Sequence, residues 1–143
     1  MDNQEVICVV CFANYCRSPV AETILKTKLG NRYKVISAGL QPVAKAEMDK
    51  RSQRFLSENG YPLEIHTPKR ISKNIITKCK YIFALDPMIL VELNKLYPHN
   101  FNKIKLLSFQ KKGVNLFDPI GLDENEYKTV MKNIEAVCSE LII

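Results

Sequence analysis

Residues 6–25 constrain this chain more than any other stretch. Val6-Ile7-Cys8-Val9-Val10 is a short apolar run rich in β-branched side chains, the pattern of a buried strand. Val20-Ala21-Glu22-Thr23-Ile24-Leu25 begins a helix, with Ser18 expected as N-cap and Pro19 at the first helical position. The segment between them, from Cys11 to Arg17, must turn directly from strand into helix. A strand that feeds a helix in this way calls for a parallel sheet with helices packed on it.

The remaining sequence repeats that alternation. The first helix is expected to run to about Leu29 and to stop at Gly30-Asn31. Tyr33–Ile36 reads as a second strand, and 46–59 as a helix with Met48, Phe55 and Leu56 on its buried side. Residues 61–68 read as extended or turn-rich, and 71–77 as a short helix. Tyr81–Leu85 reads as a third strand, followed by Asp86-Pro87, an N-cap and first-turn proline that open a helix to about Tyr97. Ile104–Leu107 reads as a fourth strand, 109–120 as a loop, and the remainder from about Glu124 as a helix with an apolar face of Tyr127, Val130, Met131, Ile134, Val137, Cys138 and Leu141. The expected fold is a single α/β domain over residues 1–143, a four-stranded parallel sheet with helices on both faces and a phosphate-binding loop after strand one. Ligands bind such sheets outside the carboxyl ends of the strands. Cys11, Asp86 and the Asp118 loop all fall at that edge.

The loop carries an anion-binding chemistry. Its backbone N–H groups and the following helix N-terminus suit a tetrahedral oxyanion. Arg17 offers a planar fork for two phosphate oxygens. The same field favours the thiolate of Cys11, and Ser18 is placed to donate a hydrogen bond to it. An acid for the leaving oxygen should come from a separate loop. Asp118 fits, because Pro119 biases it toward an extended conformation on an exposed turn and a bound phosphoanion would keep its proton on.

The run Cys11-x5-Arg17-Ser18-Pro19, with Asn14 and Cys16 inside it and an apolar strand before it, resembles the low-molecular-weight protein tyrosine phosphatases. The resemblance implies Cys11 as nucleophile, Arg17 as phosphate clamp and Asp118 as general acid. It makes Phe12, Ala13, Asn14, Tyr15 and Cys16 the body of the phosphate loop, with Asn14 and Ser37 bracing it and His66 supporting Asn14. It runs nearly end to end, with Ser37-Ala38-Gly39-Leu40 and the His66 to Ser72 segment in the expected order. Leu40 looks like the bacterial branch linked to exopolysaccharide export and tyrosine autokinases. A phosphotyrosine protein, and such an autokinase, are the implied partners. Two positions depart from the family pattern. Ala13 replaces the usual glycine and would be strained at a positive φ. Ile120 replaces the aromatic that usually walls the phenyl-ring slot.

Composition narrows the rest. The net charge of +6 is spread without a run of five like charges, which suits anionic substrates and argues against a nucleic-acid binder. No stretch has the length of a membrane span, and the start of the chain lacks the pattern of a secretory signal. Five scattered cysteines point to a reducing compartment, expected to be the cytoplasm. Cys16 reads equally as a packing residue and as a partner for Cys11 in a reversible disulfide. Cys8, Cys79 and Cys138 read as packing residues. No metal or cofactor is expected, since Cys8 and Cys11 should face opposite sides of the strand and no second ligand pair follows. A monomer is expected. The rival functions are an arsenate reductase, weakened because Asp86 stands where such relatives place further cysteines, and a phosphoprotein-binding relative that does not turn over.

Overall fold

A computed structural model describes residues 4–43, 47–114 and 116–143. In chain order the elements are β1 (Glu5–Cys11), α1 (Ser18–Leu29), β2 (Tyr33–Gly39), α2 (Lys50–Glu58), α3 (Lys73–Lys78), β3 (Cys79–Ala84), α4 (Pro87–Leu96), β4 (Ile104–Leu106) and α5 (Glu124–Glu140). Short 3-10 turns at Gly30–Arg32 and Pro98–Lys103 lead into β2 and β4. All strand pairs are parallel and the sheet order is β2-β1-β3-β4.

β1 is central, and the residues Ile7 to Val10 are fully buried. Their side chains alternate between two cores. Ile7, Val9 and Cys11 join α1, α2 and α5 on one face, while Cys8 and Val10 join Ile76, Ile89 and Leu93 on the other. The apolar stripe of α5 lies wholly in the first core. The chain leaves β1 toward β2 on one side and returns to β3 on the other. That reversal opens a crevice at the carboxyl end of β1, where Cys11 sits. Among the described residues, no helix is long and apolar enough to cross a membrane.

Several expected boundaries move. Ser18 is the first residue of α1 and Arg17 occupies the cap position, with no side-chain cap bond there. The serine hydroxyl is committed to Cys11 instead, as described below. α2 is capped by Asp49 and begins at Lys50, later than the expected start at 46, which lies outside the described residues. Ser72 caps α3, so that helix starts after Ile71. β3 begins at Cys79, two residues before its expected start at Tyr81. α5 ends at Glu140 because Lys28 reaches over from α1 and donates Nζ to the carbonyls of Cys138 (3.0 Å) and Ser139 (2.7 Å), which closes the helix end.

Candidate active site

The loop between β1 and α1 is held by its carbonyls. Five of them accept hydrogen bonds from outside the loop. Cys11 O takes Leu40 N (3.2 Å), Phe12 O takes Gln41 N (2.8 Å) and Tyr15 O takes Asp49 N (3.0 Å). Asn14 O takes His66 Nε2 (2.7 Å) and Cys16 O takes Ser52 Oγ (2.8 Å). Because its partner is a carbonyl, His66 must carry the proton on Nε2. A loop whose carbonyls are tied outward leaves its N–H groups for a ligand, with the α1 N-terminus behind them.

The left-handed residue of this loop is Asn14, at φ 52°, and Ala13 is not left-handed. Alanine in place of the usual glycine therefore meets no backbone conformation it disfavours. Gly39, across the loop at the end of β2, is the tighter position. A Cβ there would come within 2.7 Å of Asn14 N, 2.9 Å of the Ala13 carbonyl carbon and 2.9 Å of Phe12 O. Phe12 is 45% exposed at the rim, and Tyr15 is half-buried against the core.

Cys11 is buried at the floor, with Sγ 3.0 Å from Ser18 Oγ. Asn14 Nδ2 donates to Ser18 Oγ (2.7 Å) and to Ser37 Oγ (2.9 Å), while Asn14 Oδ1 accepts from Lys69 N (3.0 Å). With the Asn14 amide donating to one of its lone pairs, Ser18 keeps its own proton for the sulfur; the competing Ala38 carbonyl is farther, at 3.5 Å. Ser37 in turn donates to Glu22 Oε1, which completes a chain from the nucleophile into α1. Sequence reasoning did not single out Glu22. It lies one helical turn after Ser18, on the same face, and that spacing was a usable signal.

Arg17 is 2% exposed. Its Nη1 donates to Asp86 Oδ2 at 2.6 Å and to Leu116 O at 2.6 Å. Asp86 also caps α4 through Oδ1, accepting from Ile89 N at 2.9 Å. The expected N-cap role is met, and the second role as partner of Arg17 is added by tertiary structure. A buried guanidinium needs such a partner, and the pairing fixes its direction.

Asp118 is exposed on its turn and accepts from Ile120 N at 3.2 Å. Its charge reaches Cys16. Burial pushes the Cys16 thiol up to about 12, and the carboxylates of Asp49 and Asp118 add to that rise. Cys16 is therefore a protonated, buried thiol at neutral pH, 3.9 Å from Asp49 Oδ2, and all five cysteines are free. Ile120 is 51% exposed beside Asp118.

The sequence-expected residues thus divide into three groups. Cys11, Asn14, Ser18 and Ser37 share one hydrogen-bonded chain, with His66 on its border. Arg17 joins the carboxyl ends of β1 and β3 to residue 116. Asp118 stands on a separate turn at the same edge. Cys11 and Arg17 are thus buried at the end of β1, and the exposed Asp118 carboxylate is near enough for its charge to act on Cys16 of the phosphate loop.

Known proteins resemble this chain in sequence and fold. The family model described as low molecular weight phosphotyrosine protein phosphatase matches residues 6–142. The low molecular weight protein-tyrosine-phosphatase Etp of Escherichia coli is 25% identical, over 94% of this chain and 90% of that protein. The crystal structure of the Erwinia amylovora tyrosine phosphatase AmsI superimposes with a TM-score of 0.88 at 23% identity, covering 95% of this chain and 89% of that one. The YwlE arginine phosphatase of Geobacillus stearothermophilus has the same fold, with a TM-score of 0.85 at 23% identity over 94% of this chain and 88% of that one. The chain belongs to the low molecular weight phosphotyrosine protein phosphatase family.

Proposed function

We propose that this chain is a protein-tyrosine phosphatase that works through a phosphocysteine on Cys11. The observation that carries the reading is the buried Cys11–Ser18–Asn14–Ser37 chain, set beside the buried Arg17 at the end of β1. The thiolate attacks phosphorus in line. The bond from phosphorus to the tyrosine oxygen breaks, its electron pair stays with that oxygen, and the oxygen takes the proton of Asp118. Water then attacks the phosphocysteine, the Asp118 carboxylate accepts a water proton, and the sulfur leaves as thiolate with Ser18 donating to it. Arg17 and the loop amides hold the equatorial oxygens, where charge builds in both steps.

Phosphotyrosine on protein is the proposed substrate, with Phe12 at the rim as an apolar contact for its ring. A bacterial tyrosine autokinase, the partner implied by Ser37-Ala38-Gly39-Leu40, is the proposed source of that substrate. Five free thiols support a reducing compartment.

The test is hydrolysis of p-nitrophenyl phosphate and of a phosphotyrosine peptide in the presence of a chelator. Cys11→Ser should be inactive with both. Asp118→Asn should lose about 100-fold or more on the peptide, whose phenol leaves poorly. Acid quench of Asp118→Asn during turnover should trap phosphate on the protein. A wild type that binds vanadate but hydrolyses neither compound would favour the non-catalytic phosphoprotein binder instead. A phosphoarginine peptide turned over in preference to the phosphotyrosine peptide would move the substrate assignment.

A further inference from the structure

Arg51 lies outside the phosphate loop, yet it ties together the two segments that must meet during catalysis. It is the second residue of α2. Its Nη2 donates to Ile120 O and its Nη1 to Leu122 O, each at 3.3 Å. The same guanidinium donates to Asp49 twice, Nε to Oδ1 at 3.2 Å and Nη2 to Oδ2 at 3.1 Å, and lies 4.0 Å from the centre of the Tyr127 ring.

Both supports belong to the loop side of the site. Asp49 donates its N–H to Tyr15 O at 3.0 Å. Tyr127 shares a 2.5 Å hydrogen bond with Ser52 Oγ, and that hydroxyl donates to Cys16 O at 2.8 Å. The guanidinium is therefore anchored to the phosphate loop and grips the carbonyls that follow Asp118. Residue 120 is held at both ends. Its N–H goes to the Asp118 carboxylate (3.2 Å) and its carbonyl to Arg51. Asp118 itself is exposed; Arg17 Nη1 holds the turn before it at Leu116 O (2.6 Å), Leu122 N closes it on Pro119 O (3.0 Å), and Arg51 is the fixed point after it.

We propose that Arg51 is a positioning residue for the general acid: it sets the place of the Asp118 turn over the Cys11 loop. The inference rests on the acid role given to Asp118 above. The chemistry suits arginine alone. One planar fork serves a carboxylate, two carbonyls and an aromatic face, which a lysine ammonium cannot do at once. Releasing the turn lowers the chance that the carboxyl meets the leaving oxygen, while phosphate still binds in the loop.

The test is the rate over a series of aryl phosphates, from p-nitrophenyl to phenyl, with the vanadate inhibition constant measured alongside. The proteins are wild type, Arg51→Met, Arg51→Lys, Asp118→Asn and the Arg51→Met/Asp118→Asn double variant. Arg51→Met keeps an apolar stem on Tyr127. It should lose about 10- to 100-fold more kcat/KM with phenyl than with p-nitrophenyl phosphate, because kcat/KM reports the step in which the phenol departs, and there a misplaced acid matters most when the phenol leaves poorly. Vanadate inhibition should stay within about twofold, since the loop that binds it is intact. In the Asp118→Asn background the Arg51 change should add nothing further. Arg51→Lys keeps the charge without the fork and should share the leaving-group defect. It also carries the test if Arg51→Met does not fold.

An equal loss of kcat/KM across the series, a parallel loss of vanadate binding, additive losses in the double variant, or full activity in Arg51→Lys would each overturn the proposal. If Asp118→Asn itself shows no leaving-group dependence, the acid assignment falls first. If Asp118→Asn shows it and Arg51→Met does not, the acid stands and only the role of Arg51 is lost.

Discussion

Asn14 and Gly39 shape the loop at the level of single residues. Asn14 combines a left-handed backbone at φ 52° with three side-chain bonds, to Ser18, Ser37 and Lys69 N. Asn14→Gly keeps the backbone and loses the bonds, whereas Asn14→Ala loses both. Alanine should therefore be the less stable by about 1 kcal/mol, read as the difference in urea unfolding free energy. Equal stability would mean that the left-handed turn carries no cost. At Gly39 the neighbours are loop backbone atoms at 2.7–2.9 Å, which cannot swing aside like a side chain. Gly39→Ala should cost about 1–3 kcal/mol and weaken vanadate binding and turnover together; a stable variant with unchanged vanadate affinity would show that the loop has room. Cys11, Arg17 and Ser18 were legible because their chemistry sits in one contiguous run. Glu22, Gly39 and the Arg17–Asp86 pair were harder to read. Their roles arise from strand register and from the meeting of two sheet-edge loops, which spacing along the chain does not state.

The N-terminus of α2 is where an element's stability and the site's geometry meet. Asp49 caps that helix and holds Arg51. Burial alone would push its carboxyl up, but the hydrogen bonds and charge of Arg51 outweigh this and hold it below the usual range. A carboxyl depressed in the folded state adds stability above its unfolded value, about 3.9, and loses it as the pH falls through the folded value. The gap in unfolding free energy between wild type and Asp49→Asn should then be constant from about pH 5 to 7 and close at more acid pH. A gap independent of pH would mean that the pair contributes nothing as an ion pair. The elements themselves were legible from periodicity, since β-branched runs and helical stripes are set by burial. Their ends were less so, because competing hydrogen bonds set them: the Ser18 hydroxyl goes to a sulfur instead of its helix, and Lys28 closes α5 from a distant element.

Across the whole molecule, the phosphate loop is where the fold is tied together. β2 reaches it through Gly39 and Ser37, the 66–69 segment through His66 and Lys69, α2 through Asp49 and Ser52, and β3 and the Asp118 loop through Asp86 and Leu116 on Arg17. Global unfolding cannot spare such a loop, so an anion bound in it should stabilise the entire fold rather than one corner. Phosphate at about 100 times its dissociation constant should add about 2.7 kcal/mol to the unfolding free energy. For a chain of this size that is a rise of several degrees in Tm. Cys11→Ser should show the same rise, because the cradle binds the anion without the nucleophile. Chloride at equal ionic strength controls for screening of the +6 net charge, and should give a small shift only. A phosphate shift no larger than that of chloride would mean that the anion binds the unfolded chain as well as the folded one or that the loop opens without the rest of the fold. Hydrogen exchange separates the two: in the second case the amides of Gly39 and Leu40, bonded to Lys69 O and Cys11 O, would exchange ahead of the β1 core, and in the first they would not.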